Sequence, residues 1–292
     1  MKDIIVIVGP TGVGKTKCSI ELAKRLNAEI INGDSVAIYK KLNIGSAKPT
    51  IEERSNIPHH LIDIKNPTED YSVFEYQRDV RKIIEEIDKR GKRIIIVGGT
   101  GLYIKAALYD YKFQEETTRN DYNDLSNEEL YEKIKSYHIE KLPEKNNRRR
   151  LERLLTKLEN QEEITHNKDK CLYPIQVYGL TLPREILYER INQRVDKMIE
   201  EGLLEEINSL KEDYKVSRIL NSGIGYKEFY EYLQNNKSLE ETINEIKRNS
   251  RRFAKRQYTF FNNQFQISWK NVNLQNFTET IDEIYHNISN QS

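Results

Sequence analysis

The chain has 292 residues, 37% of them hydrophobic and 32% charged, with a formal net charge of +1. This composition excludes a fibrous or tail-like chain, and the charge balance excludes a globally cationic nucleic-acid binder while leaving room for local basic patches. No apolar run approaches the roughly 20 residues that cross a bilayer, and the apolar N-terminal stretch leads into a glycine loop instead of a cleavage site, so a cytoplasmic protein without membrane contact is expected.

Ile4 to Val8 is a short apolar run rich in β-branched residues, the pattern of a buried parallel strand. GPTGVGKT follows, with the spacing G-x-x-x-x-G-K-T across Gly9, Pro10, Thr11, Gly12, Val13, Gly14, Lys15 and Thr16. Loop and helix N–H groups there present partial positive charge to a phosphate, Lys15 adds a full charge, and the Thr16 hydroxyl can hold Mg²⁺. The spacing predicts a helix over Lys15–Leu26, from Ile20, Leu22, Ala23 and Leu26 on one face, with Asn27 as its stop. Cys18 on that helix and the distant Cys171 have neither zinc nor disulfide-framework spacing.

Glu29 to Asn32 reads as a second strand ending at Gly33-Asp34-Ser35. In an open α/β sheet, residues just beyond a strand's carboxyl end face the ligand crevice, which places Asp34 and Ser35 beside the phosphate loop. A carboxylate there either ligates Mg²⁺ or takes a proton from a nucleophile; the plainer alternative is an Asp-Ser turn capping the next segment. IGSAKPT and IPHHLID read as loops, and His59-His60 as structural or substrate-lining residues, because adjacent histidines point different ways in any regular element.

Tyr71 to Arg90 is amphipathic at helical spacing and closes at Gly91, and Arg93 to Gly99 is another buried strand. It carries no Walker-B acid, which weakens a motor or GTPase reading. Its GGTG end lets a bulky substrate approach the backbone and supplies the Thr100 hydroxyl, or is simply a tight turn. From Asp110 to about residue 172 the chain becomes charged and helical, as an inserted domain would. PIQVYGLTL returns to strand pattern at Pro174, Pro183 to Glu201 is helical up to Gly202, and Ser238 with Glu241 forms a capping box opening a long helix past Arg256. The expected fold is α/β: a P-loop NTPase-like parallel sheet covered by helices, residues 1–109 and 173–292, with a mostly helical insertion at 110–172.

Two basic clusters remain. Arg149, Arg150 and Arg153 share one side of a helix, and Arg248, Arg252 and Lys255 align on the last long one, where no acid follows Glu245 to provide salt-bridge lacing. A solvated face is the ordinary reading of such a run; a phosphate backbone is the natural counterion otherwise.

Together GPTGVGKT, GDSVAIYKKLNIGSAKPT, PHHLID, YSVFEYQRD, GGTGLYIKA, NNRRRLER, RINQRVDKMIEEGLLEE, IGYKEF and RRFAKRQYTFF resemble the tRNA dimethylallyltransferase family of bacterial type in order and over nearly the whole chain. Asn43 and Ser46 depart from its usual Asp and Thr. The resemblance implies transfer of a dimethylallyl group from dimethylallyl diphosphate to N6 of adenosine 37 in tRNAs reading codons that begin with U, by a Mg²⁺-dependent monomer. It implies a diphosphate held by the loop and by Arg194 of the R-x-x-x-R stretch, Asp34 as base, and Lys15 and Thr16 (Mg²⁺) in catalysis. It further implies an anticodon stem-loop met by Asp34, Ser35, Val36, Ala37, Thr100, Arg119, Arg149, Arg150, Leu151, Glu152, Arg153, Arg251, Arg252, Lys255 and Arg256. Competing readings are a small-molecule P-loop kinase, an adenylate isopentenyltransferase, which two basic clusters disfavour, and a P-loop RNA-binding switch without catalysis.

Overall fold

The computed structural model describes residues 1–111, 113, 121–139, 142–160 and 170–290. Alternate residues of the first strand, β1 (Ile4–Val8), serve opposite faces of the sheet: Ile4, Val6 and Val8 join one apolar cluster, Ile5 and Ile7 another, and all five are fully buried. A strand covered on both faces has no room for a polar position, which is why it reads as an unbroken apolar run.

After β1 come α1 (Lys15–Leu26), β2 (Ala28–Asn32), the two-residue strand β3 (His59–His60), α2 (Val73–Lys89), β4 (Arg93–Val97) and α3 (Gly101–Leu108). The helices α4 (Asn127–Lys135) and α5 (Arg148–Glu159) precede β5 (Ile175–Thr181), α6 (Arg184–Glu200), α7 (Leu203–Ser209), α8 (Phe229–Leu233), α9 (Leu239–Gln264), β6 (Ser268–Asn271) and α10 (Phe277–Asn290). The strands form one parallel sheet in the order β3-β2-β4-β1-β5-β6.

One face is covered by Tyr76, Val80, Ile84 and Ile87 of α2 together with Ile246 and Phe261 of α9. The other is covered by Leu22 of α1, Leu187 and Ile191 of α6, and Ile281, Ile284 and Ile288 of α10. Each such side chain contributes about 1.5–3 kcal/mol on leaving water. The helix ends follow their sequence signals. Ser72 and Glu75 form a reciprocal capping box on α2, Ser238 and Glu241 form another on α9, and Asn27 ends α1 at φ 51°.

Residues 110–169 form a unit of their own, apart from 1–109 with 170–292. In it α4 and α5 pack through Tyr122, Leu130, Ile134, Leu151 and Leu155, and Arg148 donates to the carbonyls of Tyr122 and Leu125, both at 2.7 Å.

Two strands were not expected. The His59–His60 pair, expected in a loop, lies on β2 as the short edge strand β3; β6 is a half-exposed edge strand in a stretch that reads as helical. No helix among the described residues is long and apolar enough to cross a membrane. Both cysteines are free, and burial pushes the Cys18 thiol up to about 12.

Candidate active site

The sheet topology brings three loops together at one end. β1 runs into the glycine loop, β2 into Gly33-Asp34-Ser35, and β4 into Gly98-Gly99-Thr100. The last two nearly touch: a Cβ placed on Gly98 would lie 2.1 Å from the Gly33 carbonyl carbon, so no larger residue fits. Gly14 caps α1 in the left-handed region (φ 98°) with no side-chain cap, leaving the first N–H groups of the helix for an external anion.

These loops open onto a cavity of about 370 Å³, within the range of small-ligand sites, and Thr11, Lys15, Thr16, Asp34, Thr100 and Arg194 line it. Lys15 donates to the Pro10 carbonyl at 2.8 Å, and Arg194 of α6 donates to Thr11 Oγ1 at 2.7 Å. Neighbouring Arg190 holds the Gly12 carbonyl at 3.0 Å, so α6 supports the loop twice. Burial, and after it the nearby Arg194 guanidinium, lower the Lys15 ammonium to about 7, with Asp34 partly opposing them. Arg194 is lowered too, by burial, again against Asp34. Two cations share this desolvated space with one carboxylate, and an incoming anion would relieve both.

Asp34 sits in a tight local network. Its Oδ1 accepts the Val36 N–H at 2.9 Å, its own N–H donates to Asn32 Oδ1 at 3.0 Å, and Asn32 Nδ2 donates to the carbonyls of Asp34 and Leu61. The Thr100 hydroxyl accepts the Ser35 N–H at 3.0 Å and donates to Ser35 Oγ at 3.2 Å. The turn reading and the site reading of Asp34 thus coexist: one oxygen stabilises a turn while the carboxylate lines the cavity.

The loop after Ala37 is pinned by Glu206 of α7, whose carboxylate accepts the backbone N–H groups of Asn43, Ile44 and Gly45 and the Tyr226 hydroxyl within 3.1 Å. Lys48 reaches back to Asp63 at 2.6 Å and Asn43 Oδ1 at 3.3 Å. The departures at Asn43 and Ser46 therefore lie in a loop held mainly through its backbone.

Ser35, Val36, Ala37 and Arg256 also line the cavity. Arg252 and Lys255 are exposed on α9, and Arg251 is tied to Asn192 Oδ1 at 2.6 Å. Arg149, Arg150 and Arg153 are exposed on α5 in the separate unit. Leu151 needs correction as an RNA-facing residue. Leu151 is fully buried in the apolar core of that unit, and Glu152 pairs with Arg148 at 2.7 Å. Arg119 lies outside the described residues.

Several cavity residues, Ile191, Val195, Met198 and Ile246, were not singled out from sequence, and Phe253 and Gln257 only as neighbours of the basic residues of α9. Ile191, Val195, Met198, Ile246 and Phe253 supply an apolar wall from α6 and α9; helical spacing marks them only as core. Gln257 of α9 accepts the Thr11 N–H and donates to the Gly99 carbonyl, both at 3.0 Å. His59 lines the cavity with its Nδ1 on the Ile57 carbonyl, and burial lowers its ring, whereas His60 pairs with Glu29 at 2.7 Å.

Residues 37–264 match the model of the IPP transferase family. The tRNA dimethylallyltransferase of Bacillus licheniformis is 48% identical over 281 residues, covering 91% of this chain and 90% of the relative. That of Anoxybacillus flavithermus is 46% identical over 301 residues, covering 98% and 96%. Among solved structures, a tRNA isopentenylpyrophosphate transferase from Staphylococcus epidermidis superposes with a TM-score of 0.77 at 36% identity, covering all of both chains. A eukaryotic dimethylallyltransferase acting on tRNA superposes with a TM-score of 0.81 at 28% identity, over 99% of this chain and 79% of that one.

Proposed function

The chain belongs to the IPP transferase family and transfers a dimethylallyl group to tRNA; from that premise we propose that the donor is dimethylallyl diphosphate, the acceptor N6 of adenosine 37, and the cavity at Lys15, Asp34 and Arg194 the place of reaction. The observation that carries the assignment of roles is that Lys15 and Arg194, each hydrogen-bonded to the glycine loop, line one cavity with the Asp34 carboxylate.

N6 of adenine is a weak nucleophile, because its lone pair is delocalised into the ring. Asp34 accepts a hydrogen bond from N6 and takes its proton as the carbon–nitrogen bond forms. The carbon–oxygen bond to the diphosphate breaks, and the electrons leave onto a group held by the loop amides, Lys15 and Arg194, whose positive charge meets the charge that develops. No phosphoryl group moves, so the chemistry calls for no acid on β4 to position water. The apolar wall from α6 and α9 suits the prenyl chain and excludes water from an allylic centre that would otherwise be hydrolysed.

Thr16 at the start of α1 is an oxygen donor that suits a Mg²⁺ held largely by substrate phosphates and water. When bound, it would supply further charge neutralisation to the departing diphosphate. The base must leave its stack to reach a cavity at this depth, with Ser35 and Thr100 beside it. Exposed Arg149, Arg150 and Arg153, and Arg252, Lys255 and Arg256 on α9, meet the phosphates of the anticodon stem-loop.

The test is to incubate the full chain with dimethylallyl diphosphate, Mg²⁺ and a tRNA transcript carrying adenosine 37, then digest it and locate the modification by mass spectrometry. N6-isopentenyladenosine at that position and nowhere else is expected. A prenyl group on another nucleoside, or none, would refute the acceptor assignment.

A further inference from the structure

The helix α9 exposes Arg248, Arg252, Lys255 and Arg256, while its side at Ala254, Gln257 and Phe261 is buried. Gln257 is the polar member of that side and is 4% exposed. Burying a primary amide is costly unless it is paired. Here it is paired at both ends. Oε1 accepts the N–H of Thr11 in the glycine loop, and Nε2 donates to the carbonyl of Gly99, each at 3.0 Å.

The two loops joined in this way have different duties. Thr11 carries the Arg194 contact through its hydroxyl, so it belongs to the side that holds the leaving group. Gly99 precedes Thr100, whose hydroxyl fixes the Ser35 N–H next to Asp34, so it belongs to the side that receives the acceptor. The fit is close: a Cβ on Gly99 would lie 2.2 Å from Gln257 Nε2 and 3.9 Å from Asp34 Oδ2. Only a glycine admits the amide at this point.

We infer that Gln257 is a positioning residue: it ties the leaving-group loop to the acceptor loop and sets their separation, and it does not itself grip tRNA. The inference rests on the roles assigned above to Lys15, Arg194 and Asp34. Misplacement of reacting groups by about 1 Å costs roughly 10²-fold in rate, and a lost tie between two loops produces an error of that kind. A tRNA contact would instead change affinity.

The experiment compares the wild-type chain with Gln257→Met, which keeps the volume and removes both hydrogen bonds, and Gln257→Glu. Single-turnover rates are measured with saturating tRNA and dimethylallyl diphosphate, and tRNA affinity is measured separately. Gln257→Met is expected to slow the chemical step by about 10- to 10²-fold while tRNA affinity stays within about twofold. Ionised Glu can accept from Thr11 but cannot donate to Gly99, whereas the protonated acid does both. The rate of Gln257→Glu relative to wild type should therefore recover as pH falls from roughly 8 towards 5.

A wild-type rate in Gln257→Met, or a loss confined to tRNA affinity, overturns the inference. Should Gln257→Met fail to fold, the glutamate variant decides: a pH-independent ratio to wild type overturns the tie. If the wild-type chain itself transfers no prenyl group, the functional reading fails instead, and the two failures are told apart by that control.

Discussion

Lys15 gives the strongest quantitative prediction, because its surroundings make donor binding depend on pH. In the free protein, burial and Arg194 lower its ammonium from the model-compound value of 10.5 to about 7. A lowered lysine is better tolerated neutral, so the unliganded protein carries a penalty below pH 7 that is relieved as pH rises from about 7 towards 10.5. A diphosphate placed against Nζ reverses this preference and restores the charged form. Donor binding above neutrality must then take up a proton, and affinity must fall as pH rises, up to about tenfold per unit.

Between roughly pH 7.5 and 9.5 the full shift corresponds to about 10²-fold weaker binding; if water reaching the part-exposed side chain halves the shift, several-fold remains. The terminal phosphate ionises at about 6, below this window, and does not mask the effect. Titration calorimetry of dimethylallyl diphosphate in two buffers of different ionisation enthalpy reads the proton uptake directly. Gln or Met at position 15 should bind weakly with a flat profile. No proton uptake in the wild type, or an unchanged pH slope in Lys15→Met, would refute the reasoning.

Other outcomes follow from the same geometry. Arg194→Gln removes the guanidinium that reaches Thr11 and should weaken donor binding and slow turnover by about 10²-fold or more, with tRNA affinity unchanged in a filter-binding assay. Replacing Arg149 and Arg153 together with Gln should leave thermal stability intact, since both are exposed, and should reduce the slope of log affinity against log salt by about 1.4–1.8. An unchanged slope would make them a solvated face. Leu151→Ala should cost about 2–5 kcal/mol in the unit built from α4 and α5, read by denaturant titration, because it empties part of that core; a cost near zero would contradict its burial.

The sequence shows most clearly those parts whose physics is local. The bounds of β1 and α1 follow from an apolar run, a glycine loop and a left-handed stop at Asn27; the capping box at Ser238 and Glu241 announces α9 in the same way. Asp34 and Thr100 were legible as crevice residues because parallel topology fixes what lies beyond a strand's end. Position relative to another element was not. Leu151 lies inside NNRRRLER and Gln257 inside RRFAKRQY, where neighbouring arginines dominate the reading, yet both turn inward. The strand β6, four residues of which only the middle two are partly buried, lies in a stretch that reads as helical, and it pairs with the edge of β5. Ser222, Gly223, Ile224, Gly225 and Lys227 line the cavity; the motif IGYKEF marks this stretch as part of the family pattern, but nothing in its own sequence places it beside the glycine loop.

The most direct test of the chemistry is the single-turnover rate of Asp34→Asn with tRNA and donor both bound. Asparagine keeps an oxygen that can accept the Val36 N–H, so the turn is preserved while the base is removed. Loss of a general base predicts a fall of about 10²-fold or more at unchanged tRNA affinity. A wild-type rate of prenyl transfer from the asparagine variant would show that the N6 proton leaves by another route.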